Sequence, residues 1–165
     1  MTSDMNKKVV YSLLAFVLII CSCGIKRSQA YYNYESRIIA SELDGSYTLR
    51  AFGKGRNAVD AFEEAQKQAV YDILFLGVKS ADSKIQSLRP LMMEVNAKEK
   101  YADYFNVFFA DDGQYKEYCS LKERRVMTSN FSRTDVQSMA EVTVCVFRSK
   151  LEKKLRADGI IKYSP

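Results

Sequence analysis

Several groups of residues in this chain have types and spacings that chemistry could use. Gly53-x-Gly55-x-x-Ala58 follows a strand-like run and precedes a helix-like one, the spacing that seats a dinucleotide pyrophosphate on a helix N-terminus. Asp111-Asp112 sets two carboxylates side by side, as acid–base work or calcium binding would need. A dinucleotide site, however, also requires a second parallel strand ending in an acidic residue about 20 residues on. Ile73 to Val78, with Asp82 as the acid, fills that role only if a helical apolar stripe is broken. A tight turn is therefore the better reading, because glycine accepts backbone angles and close approaches that other residues refuse. Free amides at that helix start leave anion attraction open. The phosphate-loop pattern G-x-x-x-x-G-K-[ST] and the calcium-loop pattern D-x-[DN]-x-[DN]-G are absent, so Asp111-Asp112-Gly113 reads as a turn. The chain has no histidine, which removes Ser-His-Asp and Cys-His catalysis and histidine metal sites. No S-x-x-K stands at a helix start, and nothing marks Glu64 or Glu94 as a hydrolytic carboxyl. The expectation is a protein that is not an enzyme and takes no cofactor or metal.

The four cysteines point elsewhere. Asn6-Lys7-Lys8 is cationic, and Val9 to Ile20 runs twelve residues without a charge. A bilayer span needs about 20 apolar residues, whereas this length suits the apolar centre of a secretory signal. Ile20-Cys21-Ser22-Cys23 follows and resembles the bacterial lipobox. The resemblance implies cleavage before Cys23, which then carries the lipid as the new N-terminus. Several acyl chains hold firmly, each buried CH₂ contributing about 0.8 kcal/mol. Gly24 after the cysteine is similar to lipoproteins sorted to the outer membrane, and Ile25 to Gln29 lack an acidic export cluster, which favours the periplasmic face. The expected organisation is a signal peptide over 1–22, a lipidated Cys23 with a tether over 23–45, and one domain over 46–165. Past residue 22 the chain keeps 23 of 25 basic and 19 of 20 acidic residues, a net charge of +4 that does not argue for nucleic acid. Cys119 and Cys145 remain. An oxidising compartment permits a bridge between them, while Cys145 in a strand-like run equally suits a small buried apolar residue.

The domain must position whatever acts. Arg37 to Leu43 fits a short helix or a short strand, and Asp44-Gly45-Ser46 signals a turn. Tyr47 to Phe52 alternates as a half-buried strand does. After Gly55 the period changes to 3.6: Ala58, Ala61, Phe62, Ala65, Ala69, Ile73 and Leu76 form one stripe, with Asn57 as N-cap and Gly77 as stop. Alanine every four residues lets a helix lie very close to a sheet. Lys79 to Arg89 is polar. From Pro90 a second helix is expected to about Ala110, carrying Leu91, Val95, Ala102, Phe105 and Phe109. Residues 121–131 fit an exposed strand, and Met139 to Arg148 is the strongest strand, with Val142, Val144 and Val146 on one face. A turn at Arg133 to Gln137 would join these two as an antiparallel hairpin, placing Cys145 opposite Arg124. Lys150 to Arg156 makes a short helix with Leu151 and Leu155 on one side and its basic residues toward solvent or anionic lipid. The predicted class is α+β: strand, Ala-rich helix, second helix, antiparallel β-hairpin, short C-terminal helix.

A strand, then G-x-G, then alanine every four residues, and later a Val-rich hairpin resembles a family of small bacterial lipoproteins similar to the N-terminal domain of flagellar assembly protein T. The resemblance rests on Gly53, Gly55, Ala61, Ala65, Ala69 and Val142 to Val146. It covers about residues 46–78 and 120–148, leaving 79–120 as an insertion. It implies a non-enzymatic envelope domain within a larger assembly and supplies no catalytic residues. The segment Tyr101 to Tyr118 adds a second pointer, with seven aromatic rings in eighteen residues. Tyr101, Tyr104, Phe105, Phe108 and Phe109 spread over a wider helical face than one sheet contact needs. They are the candidate partner-binding residues, since Tyr and Phe favour interface cores; filling the core of a small domain is the competing use. The expected partners are the membrane, through the lipid, and proteins of an envelope assembly. A small ligand, lipid or glycan held by this segment and Tyr31 to Tyr34 is the alternative.

Overall fold

The computed structural model describes residues 35–127 and 138–161, all within one compact unit of the chain. It is α+β. Five strands form one sheet in the order β3-β1-β2-β5-β4, where β1 is Arg37–Ser41, β2 Tyr47–Gly55, β3 Lys79–Ser80, β4 Cys119–Met127 and β5 Ser138–Val146. The long strands pair antiparallel, and only the short β3 runs parallel to its neighbour, β1. Helix α1, Ala58–Tyr71, lies across β2 and β5.

The closeness of that packing follows from side-chain size. Along the helix-facing side of β2 the residues shrink from Leu49 to Ala51 to Gly53. Opposite them Ala61, Ala65 and Ala69 are fully buried. A Cβ on Gly53 would overlap the Ala61 carbonyl and the Ala65 amide, and one on Gly55 would overlap the Ala61 amide. Neither glycine has a positive φ. They are required for proximity, not for the turn. Asn57 starts α1 as its N-cap, its side chain accepting from the Asp60 amide at 2.9 Å. The strand following α1 does not run parallel to β2, because β3 is parallel to β1 and β1 antiparallel to β2. GKGRNA therefore does not open a βαβ unit.

The helical stripe does not continue to Leu76 as expected. At Asp72 the helix widens into a π turn, Asp72–Leu76, closed by the Gly77 amide donating to the Asp72 carbonyl at 2.7 Å. The added residue brings Leu74 inside with Ile73 and turns Leu76 out to 64 % exposure. The next two carbonyls, of Ile73 and Leu74, accept from the amides of Leu91 and Met92 at 3.0 and 2.8 Å. This tie holds residues 91–92 outside any helix and prevents the long second helix. Two short helices appear instead, α2 over Ala97–Lys100 and α3 over Ala102–Phe108. Asn96 precedes α2 in the left-handed region, φ 58°, and Tyr101 separates the two. Val95, expected on an inner face, is 83 % exposed. A 3₁₀ turn, Gln114–Tyr118, leads into β4. Met92, Ala97, Phe105, Phe108, Tyr115 and Tyr118 are all buried, so the segment that reads as an insertion completes the core.

The hairpin of β4 and β5 forms in a register other than the expected one. Cys145 stands opposite Ser120, not Arg124, with an irregularity between Leu121 and Glu123. The predicted turn at 133–137 and Phe131 lie outside the described residues. Helix α4, Arg148–Ala157, buries Leu151 and Leu155 as its spacing required. It ends where Gly159 turns left-handed, φ 73°, letting the Ile160 amide reach the Leu155 carbonyl at 2.9 Å.

Two glycine substitutions separate proximity from conformation. Gly53→Ala is expected to cost about 3 kcal/mol, since helix backbone must move. Gly159→Ala, with open space around its Cβ, is expected to cost about 1–2 kcal/mol from the left-handed angle alone. Urea unfolding followed by circular dichroism checks both; a Gly53→Ala cost no greater than that of Gly159→Ala would refute the close-approach account.

Candidate functional site

The predicted partner-binding rings divide into two groups. Phe105 and Phe108 are 5 % and 2 % exposed and belong to the core, which corrects their assignment to a partner surface. Tyr101, Tyr104 and Phe109 are half-buried. The reason is the short helix. With α3 only seven residues long, its inward face falls on Phe105 and Phe108, spaced three apart, and the flanking rings reach the edge. Phe105 packs edge-on against Phe75 at 4.9 Å and Phe108 lies 5.9 Å from Tyr118, ring centre to centre. Tyr104 is held at its hydroxyl, which donates to Asp158 at 2.7 Å beyond the end of α4. Burial raises the Tyr104 phenol far above its ordinary value, and the same hydrogen bond holds the Asp158 carboxyl low. This tyrosine is a clasp between α3 and α4.

Between α1 and α3 the rings leave a groove of about 590 Å³. Tyr71 and Phe75 form one wall, spaced four apart on α1 and its π turn, with centroids 4.9 Å apart. Phe105 and Phe109 line the groove beside them, Phe109 lying 6.3 Å from Tyr71 and Phe105 4.9 Å from Phe75. The rim is polar and carries Glu64, Lys67, Gln68, Lys98 and Asn106. The Lys98 ammonium sits 5.2 Å over the Tyr71 ring, a cation–π contact. Lys67 pairs with Asp111 at 2.9 Å, and that hydrogen bond lowers the Asp111 carboxyl. Asp111-Asp112 are thus lysine partners beside a turn, Lys116 reaching Asp112 at 3.2 Å. The arrangement can hold an apolar or ring-bearing group against π faces while amides and charges at the edge orient it. Tyr71 and Phe75 escape attention in the sequence because they read as the outer side of a core helix. Their spacing of four, followed by a second aromatic helix, was the available signal.

Cys119 and Cys145 are both free and buried. Cys119 pairs with Val146 and Cys145 with Ser120, so alternation sends their thiols to opposite faces of the sheet. The possible disulfide is excluded in this register. Burial pushes the Cys119 thiol up to about 11. Cys23 and Tyr31 to Tyr34 lie outside the described residues. Among the described residues no three His, Cys, Asp or Glu side chains gather to hold a metal ion, and no helix is long and apolar enough to cross a membrane. No protein family, curated protein or solved structure matches the chain.

Phe105→Ala is expected to cost about 3–5 kcal/mol, and Phe109→Ala clearly less, measured as urea midpoints; equal costs would mean Phe109 is a core ring and no groove wall. At pH 8 the folded chain should react with iodoacetamide at Cys119 only slowly, while unfolding under non-reducing conditions exposes both Cys119 and Cys145 as free thiols to mass spectrometry. A mass two hydrogens lower across these two positions would contradict the register.

Proposed function

We propose that this chain is a lipid-anchored envelope protein that works by binding and not by bond chemistry. In this reading Cys23 carries the lipid, and the domain serves as an accessory component of a trans-envelope or surface assembly on the outer membrane. The anchor rests on the apolar run Val9 to Ile20 followed by Ile20-Cys21-Ser22-Cys23. The observation that carries the binding half is the groove between α1 and α3, where Tyr71, Phe75 and Phe109 stay half-buried beside a core that already encloses Phe105 and Phe108. Rings left at a concave surface with a polar rim favour insertion of a partner's apolar side chain, the geometry of an interface anchor.

A second reading has its own support. Gln68, Asn106 and Glu64 place amide and carboxylate groups around the ring faces. Hydroxyl-rich rings such as sugars are held in this way, their C–H faces on aromatic carbon and their hydroxyls on side-chain oxygen and nitrogen. The groove then takes a glycan in place of a protein.

Labelling cells with an alkyne palmitate should mark the wild-type chain and leave Cys23→Ser unmarked. A photoreactive phenylalanine at position 109 should crosslink a protein partner in intact cells, and Tyr71→Ser should abolish the adduct. An unlabelled wild-type chain would remove the anchor. Labelled chain with no adduct at position 109, but with a thermal shift on adding soluble glycan fragments, would replace the first binding reading with the second.

A further inference from the structure

Next to the aromatic groove, and sharing Gln68 with it, α1 carries a second cavity of about 300 Å³. Its inner wall is polar and closed from solvent. Asp72, at the start of the π turn, and Ser36, just before β1, are each 5 % exposed. The Gln68 amide donates to Asp72 Oδ1 at 2.6 Å. Ser36 Oγ is fully buried beside the Asp72 carboxylate and accepts no hydrogen bond. The outer wall is Glu35, Lys79 and Leu76. Glu35 lies 3.4 Å from the Lys79 ammonium and 3.8 Å from the Arg37 guanidinium. The rim carboxylate is therefore neutralised, whereas among the described residues the buried one, Asp72, has no ion pair. Burial accordingly raises the Asp72 carboxyl above its ordinary value, against the pull of Ser36 and Gln68.

The donor and acceptor inventory decides what fits. Asp72 offers a negative carboxylate, Ser36 an unused hydroxyl oxygen, and Gln68 an amide oxygen beside the nitrogen already engaged. Acceptors face inward; the charged donor, Lys79, is at the mouth. An anion meets the Asp72 charge, and a metal ion finds too few oxygens at liganding density. An ammonium brings three donors and one positive charge with no rigid coordination geometry. We propose that this cavity receives the ammonium head of a small alkylamine, with Asp72 and Ser36 accepting its protons and Leu76 covering its alkyl chain at the mouth. The site differs in chemistry from the aromatic groove, although Gln68 lines both.

The test titrates butylammonium chloride into the full-length chain in detergent micelles, following Tm and the amide resonances of residues 68–79, with 1-butanol as the uncharged control. A saturable response to butylammonium and none to 1-butanol is expected. Asp72→Asn keeps an acceptor for Gln68 and should fold. Because the folded carboxyl sits above its unfolded value, its charge costs stability at neutral pH, and the cost shrinks as pH falls through that raised value and is gone below the unfolded one; Asp72→Asn should thus melt higher at pH 7. The same variant should weaken butylammonium at least about tenfold, the worth of a hydrogen bond to a charged group. Ser36→Ala should weaken it about threefold and decides the matter if Asp72→Asn fails to fold. An equal response to 1-butanol, no saturable response at all, or undiminished affinity in a folded Asp72→Asn or Ser36→Ala chain would overturn the proposal.

Discussion

The structure depends on how near α1 can come to β2. Gly53 and Gly55 present no side chain, and Ala61, Ala65 and Ala69 present almost none, so helix and strand backbones meet nearly in contact. At that separation the helix axis has little freedom to slide or roll, because any shift drives backbone into backbone and not into adaptable side chains. The larger residues are displaced to the margins of the contact: Leu49 below, the valines of β5 beside it, and Phe62 under the Arg124 guanidinium at 5.7 Å. Fixing α1 in turn fixes the groove and the polar cavity that its residues line.

The legible parts of this fold are those governed by a period. Val142, Val144 and Val146 alternate, Leu151 and Leu155 sit four apart, and the alanines of α1 repeat every four, and all of them are buried as that pattern requires. The parts that misled are those where one residue changes the period or a tertiary hydrogen bond replaces a local one. The π turn at Asp72 is invisible to a 3.6-residue template, and it exchanges Leu76 for Leu74. Leu91 and Met92 lose their helix because their amides serve carbonyls of another element, eighteen residues earlier in the chain. The hairpin register is shifted by the irregularity at Leu121/Glu123, which the sequence there does not declare. The same limit applies to the site: the aromatic segment was legible as a cluster, but which rings enter the core follows from α3 being seven residues long.

Aromatic side chains serve two ends here through one packing network. Phe105 touches Phe75, Tyr104, Phe108 and Phe109 with centroids 4.9 to 6.3 Å apart, so the buried hub and the half-exposed wall are consecutive members of one chain of ring contacts. Rings have few rotatable bonds, and those held edge-on by a buried neighbour lose little further entropy when something covers their free face. A groove built on core rings is thereby pre-organised in a way that one built from surface leucine or methionine is not.

The polar flank of α1 shows the reverse economy. A π turn gives poorer backbone geometry than the α-helix it interrupts, and a carboxylate 5 % exposed gives up much of its hydration. Both occur at Asp72. Neither feature is needed for the close contact with β2, which Gly53, Gly55, Ala61, Ala65 and Ala69 complete before the chain reaches Asp72. Asparagine at position 72 would keep the Gln68 hydrogen bond without the charge, and a helix ending in the ordinary α pattern would leave Leu76 inside. Two local departures from the most stable arrangement thus converge on one cavity, next to a serine oxygen that accepts no hydrogen bond. Stability alone gives no account of that coincidence, whereas a guest carrying positive charge and spare protons would satisfy each of the groups concerned.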